Sequence, residues 1–484
     1  MPIVNKFVLV VFLSLMFSCK ENKNSKSPKN VLLICIDDLR PELNSFGANY
    51  IKSPNIDELA SRGRAFLKHY VNSPSCGPSR FTLLTGQYGT QYRRHHNQQL
   101  FSRAKALNEN QDIMSFSMPA WFRKNGYTTV SVGKVSHHPG GRGGELWNSD
   151  SIPEMPEAWD KHLMPVGDWQ HPKGAMHGLA HGKIRTPNQR KVVEAIDGGD
   201  EIYPDGLIVH EGIKQLEELA AKDKPFFLAI GLIKPHLPFG APKKYLDLYE
   251  NTEIPSVPHP EKPSENSSWS GSGEFMNYDR GGRDPRNDKD FAMEIKKYYA
   301  ACVSYADKHV GDILSKLKET GADKNTIVVL WGDHGWHLGE HAVWGKHTLY
   351  EESLHAPLII YDPEIIKKGE KTNAMVETID VFPTLCDLIN QPKPDYLHGS
   401  SLLPIIKDVN AEGHPVAGYF STSSTIRTDR HRLTVNGNGL VELYDHESKE
   451  KETKNIAKEN PDLVTELRGL LQDKLGEFAF DWDP

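Results

Sequence analysis

Cysteine is scarce in this chain. Five occur in 484 residues, with no C-x-x-C pair and no short Cys/His cluster, which argues against a structural zinc module or a disulfide framework as the organising device. Positive charge is not in excess either. Fifty-seven Lys and Arg face 64 Asp and Glu for a net charge of -7, so no basic field exists to hold nucleic acid by counterion release. An anionic substrate would have to be met by a few placed cations. Apolar runs of membrane-spanning length are missing, and the hydrophobic share of 38% with 25% charged residues excludes wholesale disorder, a coiled coil and a polytopic membrane protein. The length suits two or three domains, or one large α/β domain with an appendage.

Residues 1–18 carry Lys6, then an apolar run from Phe7 to Phe17, then Ser18. That run has the form of a secretion signal. Cys19 follows Ser18 directly and resembles the cleavage site of a bacterial lipoprotein, with Cys19 as the lipidated first residue. Simple signal-peptidase cleavage nearby is the alternative. Residues 19–29 read as a polar linker. The expected location is the cell envelope, periplasmic or anchored in the outer membrane through Cys19.

From Asn30 to Ile36 a continuous apolar run of strand length ends in Asp37 and Asp38, as a buried parallel strand should. The pattern recurs: Thr128 to Val132 leads into Lys134, Pro225 to Gly231 into Lys234 and His236, and Thr326 to Leu330 into Asp333 and His334. Helical patterns at Asn55 to Phe66, Ser115 to Asn125, Gly206 to Ala221 and Phe291 to Glu319 separate them. Alternating strands and helices predict an α/β fold, a large mixed but mostly parallel sheet covered by helices on both faces. Polar groups at the carboxyl ends of such strands lie where open α/β sheets place their sites. Two stretches, 139–205 and 254–288, break the alternation and are expected to be surface loops that shape a pocket. Alternation stops near Lys368 to Thr372, and a helix-like segment from Met375 to Asn390 follows. We place a catalytic domain at 30–391 and a C-terminal α+β subdomain at 392–484, with strands at Val416 to Phe420, Arg432 to Val435 and Val441 to Tyr444 and a last helix from Pro461 to Gly476.

Cys35, Cys302 and Cys386 sit in apolar patterns and read as buried small hydrophobes. Cys76 differs, lying among Ser, Gly and Pro in Cys76-Gly77-Pro78-Ser79-Arg80, followed by Phe-Thr-Leu-Leu-Thr-Gly86. A helix is expected from about Ser79, so its amides and Arg80 would support an anion. Asp37, Asp38 and Asp333 are hard oxygen donors suited to Ca²⁺ or Mg²⁺. Taken alone, Asp37 and Asp38 could equally cap a helix.

The pattern C-x-P-S-R-x-x-x-L-T-G resembles the maturation and active-site motif of the type I sulfatases. The resemblance runs from about Val31 to the C-terminus, including Ser53 to Asp57, Thr378 to Thr384 and Glu442 to Asp445. It implies an alkaline-phosphatase-like fold. It also implies that a formylglycine-generating maturation enzyme converts Cys76 to 3-oxoalanine (formylglycine), whose hydrated diol attacks sulfur with one hydroxyl and expels sulfate with the other. One Ca²⁺ would be held by Asp37, Asp38, Asp333 and His334, with an oxygen of the modified Cys76. His334 stands where the family often has Asn or Gln. Arg80, Lys134 and Lys346 would hold the sulfate oxygens, His236 would protonate the leaving sugar oxygen, and His137 would collapse the sulfated diol. The spacing K-x-x-H at Lys134 and His137 resembles the iduronate-2-sulfatase-like branch, and His138 competes with His137.

The resemblance implies a sulfatase acting on sulfated glycans. Uronate 2-O-sulfates of glycosaminoglycans and the sulfated rhamnose of ulvan-type algal polysaccharide are the candidate substrates. Two other functions compete with this one. A phosphatase or phosphodiesterase of the same superfamily would use Ser or Thr and two zinc ions, and a lipoprotein that binds sulfated glycans without turnover would leave these positions unused.

Overall fold

The computed structural model describes residues 28–89, 117–139, 155, 157–186, 190–263, 267–366 and 369–479. The expected signal segment and the expected anchor Cys19 lie outside the described residues. Among the described residues there are sixteen strands. In chain order these are β1 (Asn30–Ile36), β2 (Arg64–Tyr70), β3 (Thr128–Gly133), β4 (Lys161–Leu163), β5 (Val193–Ile196), β6 (Phe226–Leu232), β7 (Phe239–Pro242) and β8 (Thr326–Gly332). There follow β9 (His337–Leu338), β10 (Trp344–Gly345), β11 (Leu358–Tyr361), β12 (Glu370–Glu377), β13 (Val416–Phe420), β14 (Ser423–Arg427), β15 (His431–Asn436) and β16 (Val441–Asp445). The principal helices are α1 (Pro54–Arg62), α2 (Cys76–Thr85), α3 (Met118–Lys124), α4 (Pro204–Ala220), α5 (Gly273–Met276), α6 (Lys289–Glu319), α7 (Val381–Leu388) and α8 (Pro461–Leu475).

Eight strands make one sheet in the order β12-β2-β11-β8-β1-β6-β3-β4. All neighbours run parallel except β11, which is antiparallel to both β2 and β8. β1 is central, paired parallel with β6 and β8. Its side chains alternate between two cores. Leu32, Ile34 and Ile36 join the side packed by α1, α4 and α6, and Val31, Leu33 and Cys35 join the side packed by α2, α3 and α7. Burial on both faces is why this strand reads as an unbroken apolar run.

Three expectations are corrected by contacts that periodicity cannot see. The helix expected at Asn55 to Phe66 ends at Arg62, and Arg64 begins β2; Ala65 and Phe66 are buried in either reading. Met375 to Glu377, expected to be helical, pair with Lys68 to Tyr70 at the end of β12, so the helix starts only at Val381. β14, polar and unrecognised, lies between β13 and β15 in a four-stranded antiparallel sheet on which α8 packs, through Leu467, Leu471 and Leu475. Cys35, Cys302 and Cys386 are buried free thiols, and burial pushes each up to about 12. Among the described residues no helix is long and apolar enough to cross a membrane.

Candidate active site

The carboxyl ends of β1, β3, β6 and β8 converge. β1 delivers Asp37 and Asp38, and β8 delivers Asp333 and His334. The Asp38 amide donates to Asp333 Oδ1 at 2.9 Å, tying the two strand ends together. Asp38 adopts φ +58°, a left-handed conformation that a non-glycine residue keeps only where its surroundings impose it. Past β3, Gly133 has φ +75° and a Cβ there would lie 2.3 Å from the Gly231 carbonyl oxygen, while one on Gly231 would lie 2.0 Å from the Lys134 backbone. Two glycines thus let the Lys134 turn press onto β6.

Cys76 is the first residue of α2, three positions earlier than the sequence suggested, and all ten residues of that helix are buried. Its Sγ lies 3.2 Å from Lys346 Nζ and 3.3 Å from His334 Nε2. Lys346 also donates to Asp38 Oδ1 at 2.7 Å. His334 Nδ1 faces the Gly335 carbonyl at 2.9 Å, which assigns the proton to Nδ1 and leaves the Nε2 lone pair toward Cys76 and Asp38.

Arg80 is placed differently from the expectation. Its Nε and one terminal nitrogen donate to Asp333 Oδ2 at 3.1 and 2.9 Å, and that nitrogen also reaches Asp37 Oδ1 at 3.0 Å. The other terminal nitrogen donates to the carbonyls of Lys134 and Val135. With every donor engaged and no exposed surface, the guanidinium holds the carboxylates in place and has nothing left to offer a sulfate oxygen. Lys134 Nζ donates to Asp37 Oδ2.

The donor set fits a divalent cation. Asp37, Cys76, Asp333 and His334 offer ligand atoms within 4.8 Å of one another, all buried, and Asp38 Oδ2 is buried with no hydrogen-bond partner. Burial, with the neighbouring Asp37 charge, pushes the Asp333 carboxyl up to about 7. Burial drives Asp38 well above the usual carboxylate range, and Lys346 offsets only part of this. Burial would raise Asp37 too, but the Lys134, His236 and Arg80 charges outweigh it and hold that carboxyl low. Hard oxygens crowded in this way, with one imidazole nitrogen, suit Ca²⁺ or a similar ion.

His236, between β6 and β7, is buried with Nδ1 2.7 Å from the Leu237 carbonyl, so Nε2 faces the pocket. Burial, then the Lys134 charge, hold it well below the ordinary histidine range. Burial does the same to His137, where the charges of His138, Lys134, Asp37 and Arg80 also act, tying His137 electrostatically to the site. The His138 ring lies edge-on to it at 4.5 Å.

Two residues of the pocket were not singled out from sequence. Glu274 on α5 lies 3.6 Å from His236 Nε2, 3.5 Å from Lys346 Nζ and 3.9 Å from His347 Nδ1. The His177 ring sits 5.5 Å from that of His236. Both come from the irregular stretches expected to shape the pocket, but a lone Glu or His in a loop carries no periodic or motif signal of its own.

Comparison with known proteins agrees with this geometry. A family model described as Sulfatase matches residues 29–391, and one described as N-sulphoglucosamine sulphohydrolase, C-terminal, matches residues 339–479. Iduronate 2-sulfatase of Mus musculus is 31% identical over 422 residues, spanning 78% of this chain and 71% of that protein. Phosphonate monoester hydrolase of Agrobacterium radiobacter superposes with a TM-score of 0.74 at 21% identity, covering 93% of this chain and 96% of its own. A protein solved with its substrate D-glucosamine-2-N,6-O-disulfate superposes with a TM-score of 0.71 at 21% identity, covering 94% and 99%. These two likenesses speak to the alkaline-phosphatase-like fold. The chain belongs to the type I sulfatase family, in its iduronate-2-sulfatase-like branch, and is a sulfuric ester hydrolase.

Proposed function

We propose that this sulfatase hydrolyses sulfate monoesters on sulfated glycans, with Cys76 in its formylglycine form and one Ca²⁺ held by Asp37, Asp38, Asp333 and His334. The observation that carries the reading is the setting of Cys76. It opens a buried helix between Lys346 and His334, yet burial, reinforced by the Asp37 charge, keeps its thiol well above the usual range. A thiol held neutral is a poor nucleophile, which disfavours direct attack by the encoded side chain; conversion is the reading that the Cys76 to Gly86 motif supports. Formylglycine would supply a diol that both attacks sulfur and later releases sulfate, and the cation would polarise the reacting oxygens.

The chain's own residues do the rest. Arg80 fixes Asp37 and Asp333 by charge-assisted hydrogen bonds from within. Lys346 and Lys134, beside Cys76 and Asp37, neutralise charge on the transferring group. His236, when protonated at Nε2, donates to the departing sugar oxygen, and His137 takes the proton that frees sulfate. Uronate 2-O-sulfates and sulfated rhamnose remain the candidate substrates; the likeness to iduronate 2-sulfatase supports the first. We further propose export by the N-terminal signal, anchoring through Cys19 in the cell envelope, and a formylglycine-generating enzyme as the maturation partner.

The test is inorganic sulfate release from uronate-2-sulfated and rhamnose-sulfated oligosaccharides by protein coexpressed with that enzyme, with conversion of Cys76 read by mass. Release is expected from one member, and Cys76→Ala should lower it by more than about 10³-fold, the scale of losing a covalent nucleophile, with circular dichroism unchanged. Silence across the panel from fully converted protein would refute the glycan reading.

A further inference from the structure

Glu274 is an acid of the pocket that stands apart from the carboxylates suited to the cation and faces the imidazole and ammonium groups instead. Its carboxylate lies 3.6 Å from His236 Nε2, the nitrogen that faces the leaving oxygen, and 3.5 Å from Lys346 Nζ. Its Oε2 is buried and, among the described residues, accepts no hydrogen bond, its neighbours being the ion-pair partners Lys346 Nζ at 3.5 Å and His347 Nδ1 at 3.9 Å. The position is rigidly set. The next residue, Phe275, is fully buried between Trp344 and Phe239, with ring centroids 5.5 and 6.4 Å away. A Cβ on Gly345 would lie 2.5 Å from Ser272 Oγ, so the chain before α5 also packs closely on β10. An ion pair at this distance leaves a buried acceptor with capacity for a hydrogen bond, and because Oε1 lies 3.6 Å from His236 Nε2, a substrate group beside the scissile ester is within reach of the carboxylate.

We propose that Glu274 is a specificity residue that accepts a hydrogen bond from a free hydroxyl on the ring carbon next to the sulfate ester, so that the substrate is a vicinal diol sulfated at one position only. This rests on the sulfatase reading and on His236 facing the leaving oxygen. A neighbouring methyl ether leaves Oε2 without a hydrogen bond, and a neighbouring second sulfate sets two anions against each other beside a largely buried carboxylate. Both candidate glycans can present such a hydroxyl, so the inference concerns the substitution pattern and not the name of the sugar.

The experiment takes the sugar sulfate released fastest in the panel above and compares it with analogues whose adjacent hydroxyl is methylated or sulfated, alongside an aryl sulfate. The free hydroxyl is expected to exceed the methyl ether by at least tenfold in kcat/KM, with the vicinal disulfate lower still. Glu274→Ala should shrink the hydroxyl-to-ether ratio toward one, and Glu274→Gln should relieve the disulfate penalty. Ratios taken on one preparation do not depend on the fraction folded. Equal kcat/KM on the three sugar esters overturns the inference alone, as does a uniform loss on all of them in Glu274→Ala, which would mark a residue acting through His236 or Lys346. No sulfate from any ester, aryl sulfate included, by converted protein overturns the sulfatase reading and this inference with it.

Discussion

Removing divalent cation should destabilise the protein in a pH-dependent way that the carboxylate cluster makes calculable. Asp333 is raised from an ordinary 3.8 to about 7 by burial and by Asp37. A carboxyl whose folded value is raised binds its proton more tightly folded than unfolded, so stability is lost as pH climbs from about 4 through 7. The full shift corresponds to about 4 kcal/mol, and Asp38 is displaced in the same direction. Asp37, held low, gives the opposite slope only in more acidic solution. A bound cation takes the place of the proton, and at a hundred times its dissociation constant, which already contains the relief of that cost, its whole stabilisation is about 2.7 kcal/mol by mass action. Unfolding a chain of this size carries about 1 kcal/mol/K of entropy. At about pH 8 the melting temperature in millimolar CaCl2 should therefore exceed that in excess EDTA by about 3 °C, and the gap should close toward about pH 5. Differential scanning fluorimetry reads both on unconverted protein, because the three carboxylates and His334 are present whatever the state of Cys76. Equal melting temperatures with and without calcium across that range would refute the cation reading of the cluster.

Two further outcomes follow from named contacts. If His236 protonates the leaving oxygen, His236→Ala should slow sugar sulfates by about 10²–10³-fold and aryl sulfates, whose leaving groups need no proton, by less than about tenfold; equal losses would remove the assignment. His414 pairs with Asp380 at 2.9 Å. Burial opposes its charge, but the Asp380 hydrogen bond and charge win and raise it to about 9. That stabilisation, on the order of 2 kcal/mol for a partly exposed pair, is complete below about pH 6.5 and lost as pH rises through about 9. Urea denaturation at about pH 6 and pH 10 should show this slope in the natural protein and a flatter one in His414→Ala.

Much of this protein is determined by local sequence. β1, β3, β6 and β8 are readable because burial on both faces demands continuous apolar runs, and the residues that follow them are readable because parallel sheets put chemistry at those strand ends. The Cys76 to Gly86 motif needs no tertiary information, since its spacing is set within one turn and one helix. The fold alone decided what depends on pairing between distant segments. Whether Ala65 and Phe66 belong to helix or strand is settled by β11 and β12 alongside β2, and a polar strand such as β14 exists because β13 and β15 offer partners on both sides. The task of Arg80 was likewise hidden: only when Asp37, Asp333 and the Lys134 turn close around it do all its donors become committed. Glu274 was invisible for the same reason. A glutamate in an irregular loop becomes part of a site only because Phe275, one residue on, is driven into the core against Trp344 and Phe239, and apolar burial of that neighbour carries the carboxylate to His236.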